Sequence, residues 1–210
     1  TFVGSVRCVL ETATALLNSR GQPSKNFSKP EWVFGACAGA AVYRMRMLEG
    51  IGFFDEDFFL VYEDVDLSFR AQLRGYKCLY VPEAVVYHQA GSSIGDDTPI
   101  SVYFSHRNLE WVYIQNMPGG LIARTILPHM IYVFAAFVFF VARGRGADFI
   151  KAKWHALKGL KRALAKRKYI QKNRTVTDDY IWSLFDRERL LPRLTRRILK
   201  DSRNGPKTPF

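Results

Sequence analysis

The stretch Thr125 to Ala142, TILPHMIYVFAAFVFFVA, runs for eighteen residues without a formal charge, and the segment after it is intensely basic. No other feature narrows the possible folds as much. Pro128 and His129 interrupt the apolar run early. Its unbroken part, Met130 to Ala142, would reach about 20 Å as a helix, against a hydrocarbon core of roughly 30 Å. Length alone leaves three readings open: a membrane-embedded or interfacial hairpin, a true span, and a buried core helix.

From Arg143 to Arg174, twelve Lys or Arg stand against a single acid, Asp148. That segment carries +11 of the chain's formal +12, so the remainder is nearly neutral. Within it Ile150, Trp154, Leu157, Leu160 and Leu164 recur at helical spacing, with Lys151, Lys158, Lys161, Arg162, Lys166 and Arg167 around them. A basic amphipathic helix beside an apolar segment predicts contact with an anionic membrane surface. A solvated helix face is the plainer alternative. Charge confined to one segment, with no recognised motif around Trp154 or Tyr169, argues against nucleic acid as a partner.

The 210 residues suffice for one proper core. Cys8, Cys37 and Cys78 are odd in number and widely spaced, which reads as buried apolar residues in a reducing compartment. The first residues lack the pattern of a signal peptide. Arg20 to Pro30, RGQPSKNFSKP, has the chemistry of a surface loop. In WVFGACAGAAVYRMRML, Trp32 to Leu48, small residues admit another backbone or a ligand at close range. Ala40 to Arg44 predicts a strand, and MRMLEGIG a short helix stopped by Gly50 and Gly52.

FFLVY, Phe58 to Tyr62, predicts a buried strand end. Asp64 then stands as an N-cap for a helix over VDLSFRAQLR, which Gly75 stops. KCLYVP and AVVYH, the latter ending at His88, predict two more strands, and the alternation implies an α/β layer. From Ser101 the pattern is helical, with Arg107 and Asn108 mid-helix, until MPGG breaks it. Composition thus separates residues 1–120, an apolar stretch 121–142 and a basic tail 143–210.

Glu63, Asp64 and Asp66 crowd into four positions after an apolar run. Carboxylates so placed repel one another and are costly to bury unless something uses or compensates them. Two readings follow. Capping and dipole compensation at a helix start is one. An ionised, oriented Asp64 that takes a proton from a substrate hydroxyl is the other. Asp66 and Arg70, four apart, suit a scaffold pair.

The spaced positions Gly35, Ala36, Arg44, Gly52, Phe53, Asp55, Glu56, Phe58, Phe59, Tyr62, Glu63, Asp64, Asp66, Leu67, Arg70, Gly75 and His88 agree together with one pattern. With the RN of SHRNLEW and the NMP after it, the region Trp32 to Pro118 resembles the acceptor-side half of inverting family 2 glycosyltransferases. These have the GT-A, Rossmann-like α/β fold, and the rhamnosyltransferase-like group is the nearest flavour. The resemblance implies Asp64 as general base, with Glu63 helping to position the acceptor. It places Asp55 and Glu56 in a loop facing the acceptor, although Asp55-Glu56-Asp57 has the D-x-D form of a metal motif. Arg107 would approach the diphosphate or cap local structure. His88 matches a histidine that, in some relatives, binds the Mg²⁺ or Mn²⁺ holding the diphosphate.

The implied substrates are a nucleoside-diphosphate sugar, with rhamnose as candidate, and a lipid-linked or polysaccharide acceptor. The implied location is the cytoplasmic face of a bacterial inner membrane. Residues 1–31 show neither the strand-loop-helix for a nucleotide nor a D-x-D. The expectation is therefore the C-terminal part of an enzyme, inactive by itself. A non-catalytic, membrane-peripheral basic module is the rival expectation.

Overall fold

In the computed structural model the described residues are 3–4, 29–84, 95 and 98–185. A three-stranded sheet forms one edge, in the order β1 (Val3–Gly4), β3 (Cys78–Val81), β2 (Glu31–Val33). β3 pairs parallel with β1 and antiparallel with β2, with Trp32 opposite Leu79. Helices make up most of the rest. α1 is Met45–Ile51, α2 Glu63–Leu73, α3 Pro99–Asn116 and α4 Gly119–Ala142. α5 (Gly146–Lys158), α6 (Leu160–Lys172) and α7 (Asp178–Ser183) follow.

α3 falls where periodicity and its cap place it. Thr98 caps α3 by accepting from the Ser101 N–H, and Pro99 occupies the first helical turn, where a missing N–H costs nothing. α2 presents Val65, Leu67, Phe69 and Leu73 to the interior, all buried. Burying such a side chain contributes about 1.5–3 kcal/mol. The largest core cluster joins Val65, Phe69 and Leu73 to Phe34, Phe58, Leu109, Val112, Met117, Leu121, Ala163 and Ile181, and so draws on all three stretches that composition separates, while Leu67 packs with Met47 and Ile51 of α1.

Several strand expectations are overturned. Ala40 to Arg44 is not a strand: a short 3-10 turn at Ala38–Ala40 precedes extended chain into α1. Phe58 to Tyr62 is not a strand either. Phe59, Val61 and Tyr62 have φ of 59°, 65° and 74°, a left-handed run rare for bulky side chains. The apolar pattern reflects burial of Phe58 against Trp111 in a turn, not pairing in a sheet. Gly50 lies inside α1, and Gly52 alone caps it. Residues 85–88 of AVVYH, His88 included, the AGSSIGDD loop apart from Gly95, most of the RGQPSKNFSKP loop, Cys8 and the end of the tail lie outside the described residues.

The single basic helix expected after Arg143 is two helices. The break falls at Gly159, where a Cβ would sit 2.5 Å from Trp111 Cζ2. The Trp111 indole N–H donates to Ala156 O at 3.1 Å, fixing the end of α5 against α3. α4 is held differently. His129 Nε2 lies 2.9 Å from Glu110 Oε2, and Lys153 of α5 bonds the other oxygen of that carboxylate. Burial would raise Glu110, but the His129 bond and the Lys153 charge win and hold it down at about 2.

Gly159→Ala should cost about 1–3 kcal/mol, since the added methyl overpacks a tryptophan face. Thermal unfolding of the variant beside the parent checks this. An unchanged melting temperature would show that the close approach is not needed.

Candidate active site

The Glu63-Asp64 pair sits where the left-handed turn delivers the chain into α2. Two groups from elsewhere build that turn. The Asn108 side-chain amide donates to Phe58 O, Leu60 O and Val61 O at 2.9, 2.7 and 2.7 Å. The Arg107 guanidinium donates to Asp57 O and Phe58 O at 2.9 and 3.0 Å, and it lies 4.4 Å from the Trp111 ring centroid. Each residue held in a sparsely populated region costs about 1–3 kcal/mol. Asn108 offsets this by gathering carbonyls that a strand would have turned to neighbouring chains.

The far wall comes from the small-residue stretch. A Cβ at Gly35 would collide with the Ser68 side chain, so α2 is the close neighbour those residues admit. Ser68 Oγ accepts from the Ala36 N–H at 3.3 Å. This seats Cys37 and Ala38 over the start of α2. Asp64 is therefore not the N-cap; Tyr62 holds that place, and Asp64 lies in the first turn. Its Oδ1 accepts from the Val65 N–H at 2.8 Å, its Oδ2 from the Ala38 N–H at 3.2 Å, and the Cys37 thiol also bonds it.

Burial pushes the Asp64 carboxyl above its ordinary range, against the pull of these donors. Glu63 is pushed up chiefly by burial and also by the Asp64 charge. Glu63 Oε2 is buried with no hydrogen-bond partner among the described residues. The pair combines a carboxylate oriented by N–H groups with a second one that has an unused acceptor. Such a pair can take a proton from one hydroxyl and hold another.

The other candidates lie differently. Asp55 gives both oxygens to Lys166 Nζ of α6, at 2.6 Å each, and Asp57 pairs with Lys166 and Arg162. Glu56 is exposed. The Arg107 donors go to local carbonyls and to Asn108. His88 is outside the described residues. Among the described residues no cluster of three His, Cys, Asp or Glu could hold a metal ion. Asp64 is occupied by N–H donors and Asp55 by an ammonium, so these carboxylates do not fit a divalent cation as they stand.

Sequence reasoning read Cys37 as an inert buried residue, whereas it is half-buried against Asp64. It also passed over Asn108 and Lys166 as site-builders. A polar pair such as Arg107-Asn108 inside an otherwise apolar helix face was the available signal for the first. Nothing local marks Lys166.

With this geometry described, comparison with known proteins gives the family. The model described as glycosyl transferase family group 2 matches residues 16–143, more than half of the chain. The chain belongs to that family, and within it is rhamnosyltransferase-like. It is 32% identical over 107 residues to N-acetylglucosaminyl-diphospho-decaprenol L-rhamnosyltransferase of Mycobacterium tuberculosis, in both strain CDC 1551 / Oshkosh and strain ATCC 25618 / H37Rv. The match takes in 51% of this chain and 33% of each relative, so the chain spans about a third of the curated relatives it matches. No solved structure matches it.

Asn108→Ala should lower stability by about 2–4 kcal/mol, because it strips donors from buried carbonyls, at roughly 1–3 kcal/mol for each group left unpaired. Denaturant titration reads the loss; one below about 1 kcal/mol would mean that the turn holds itself. Glu63 makes a pH-dependent prediction. With its folded pKa raised, stability falls as pH rises from the ordinary Glu range through the folded value, and stays lower above it. Glu63→Gln should therefore melt higher than the parent at about pH 8 and equal it near about pH 3, where both states are protonated. A gain independent of pH would contradict the burial of that charge.

Proposed function

We propose that the protein carrying this chain transfers a sugar, with rhamnose as candidate, from a nucleoside-diphosphate donor to a lipid-linked or polysaccharide acceptor. The anomeric carbon inverts. The observation that carries this reading is the Asp64 carboxylate, oriented by the Ala38 and Val65 N–H groups beside the unpartnered Glu63 Oε2. Asp64 takes the proton of the acceptor hydroxyl. The hydroxyl oxygen then forms a bond to the anomeric carbon, and the bond from that carbon to the diphosphate oxygen breaks. The diphosphate leaves with the electron pair. Glu63 accepts a hydrogen bond from the acceptor and positions it.

The raised pKa of Asp64 suits a base, since proton transfer improves as the base approaches the working pH. The name of the Mycobacterium tuberculosis relative supports a polyprenyl-linked acceptor. Residues 1–120 form the acceptor-side portion in this reading. A divalent cation, Mg²⁺ or Mn²⁺, would neutralise charge on the departing diphosphate, with His88 as its candidate ligand. The reaction would take place at the cytoplasmic face of a bacterial inner membrane.

In the full-length protein, Asp64→Asn should lower transfer by about 10²–10⁴-fold, the range for loss of a general base. Release of nucleoside diphosphate in the presence of acceptor measures it, with circular dichroism to show an intact fold. Transfer within a few-fold of the parent would refute Asp64 as base.

A further inference from the structure

α4 has two faces. Leu121, Thr125, His129, Ala136 and Phe140 are buried. Leu127, Met130, Ile131, Phe134, Val138 and Val141 are exposed, at spacings that keep them on one stripe opposite the buried set. It is the one helix among the described residues long and apolar enough to cross a membrane, and only 22% of its most apolar window is buried. At 24 residues it would measure about 36 Å, enough for a hydrocarbon core. Length permits a crossing; the packed face does not.

That face meets α3 through long side chains at points between Thr125 and Phe140. Thr125 Oγ1 meets the Tyr113 hydroxyl at 2.9 Å, and the His129 ring stacks on Tyr113 with centroids 4.2 Å apart. Glu110 takes His129. Farther on, Phe140 packs on His106 at 4.9 Å, and Ala136 and Phe140 cluster with Val102 and Phe149. The two helices therefore run antiparallel. α3 is anchored in turn to the candidate active site through Asn108 and through the Asn116 bond to Asp66. A crossing α4 would drag Glu110, Lys153 and the α3 amides into hydrocarbon, where each charge alone costs about 2.5–3.5 kcal/mol at the centre.

We infer that α4 lies in the plane of a bilayer surface, with its exposed stripe in the upper acyl region and its packed face carrying the rest of the chain above. The occupant is a leaflet containing anionic lipid. Exposed Arg124 and Arg143 stand near the two ends of α4, and the neighbouring α5 exposes Ile150, Trp154 and Leu157 together with Lys151 and Lys158. A second copy of the chain would set like-charged rims against each other, whereas anionic headgroups neutralise them. The inference shares only the membrane location with the proposed function. Its test needs no sugar donor, so its failure leaves Asp64 untouched.

The test uses the full chain with its natural cysteines replaced, carrying Leu127→Cys or Val141→Cys labelled with a fluorophore. Vesicles of phosphatidylglycerol and phosphatidylethanolamine are compared with phosphatidylcholine, and quenching by brominated lipids gives label depth. The two positions are about 21 Å apart along the helix. Equal, shallow depths are expected, with binding to the anionic vesicles at least tenfold tighter than to phosphatidylcholine. Phe134→Asp, on the exposed stripe, should weaken that binding at least tenfold while circular dichroism is unchanged. Depths differing by about 20 Å would mean a crossing helix and overturn the inference. So would failure to bind vesicles, or a lipid-free dimer that Phe134→Asp dissolves.

Discussion

Asp66 is fully buried and carries a charge into the interior, so the arrangement around it governs what else can form. Arg70 Nε donates to it at 2.8 Å and Asn116 Nδ2 at 2.7 Å. The remaining Arg70 donors go to Ile51 O, Gly52 O and Phe53 O, the last carbonyls of α1 and the turn beyond it. A buried ion pair is tolerable only when its spare donors and lone pairs are taken up, and removing one partner typically costs about 3–5 kcal/mol. Here one guanidinium satisfies its partner and closes a helix end. The pair thus sets the angle between α1, α2 and α3, and with it the place of Asp64, two residues upstream.

The basic segment illustrates how a charge count can mislead. Lys153 is spent on Glu110, Lys166 and Arg162 on the Asp55 and Asp57 carboxylates, and Arg174 on Asp178. Arg167 caps α3 by donating to Ile114 O and Met117 O at 2.7 and 2.6 Å. Much of the positive charge is therefore directed inward, as mortar between α6 and the loop that precedes the carboxylate pair. Burial pushes the Asp64 and Glu63 carboxyls above their ordinary range.

The helices were legible because period, cap and stop agree: Thr98 with Pro99 opens α3, and Gly75 ends α2. KCLYV was legible as a strand for its β-branched and aromatic content. FFLVY was not, because an apolar run looks alike whether sheet partners or a distant side-chain amide satisfy its carbonyls. Asn108 decides that, 47 to 50 residues away. The break at Gly159 depends on Trp111, which no local pattern reveals. In the site, Glu63 and Asp64 stood out as clustered charge, while Cys37 gained its meaning only when α2 met the Gly35 stretch.

The turn before the carboxylates also has a history in time. Its supports, Arg107, Asn108 and Lys166, lie from 47 to 111 residues later in the chain than the groups they hold. At about 5–20 residues per second of synthesis, the ribosome emits the Asp57 region roughly 5–20 seconds before the α6 lysine that secures it. A left-handed aromatic turn is thus born without its scaffold. Slow codons or chaperone contact between the two would bear on the yield of this protein more than on its finished stability.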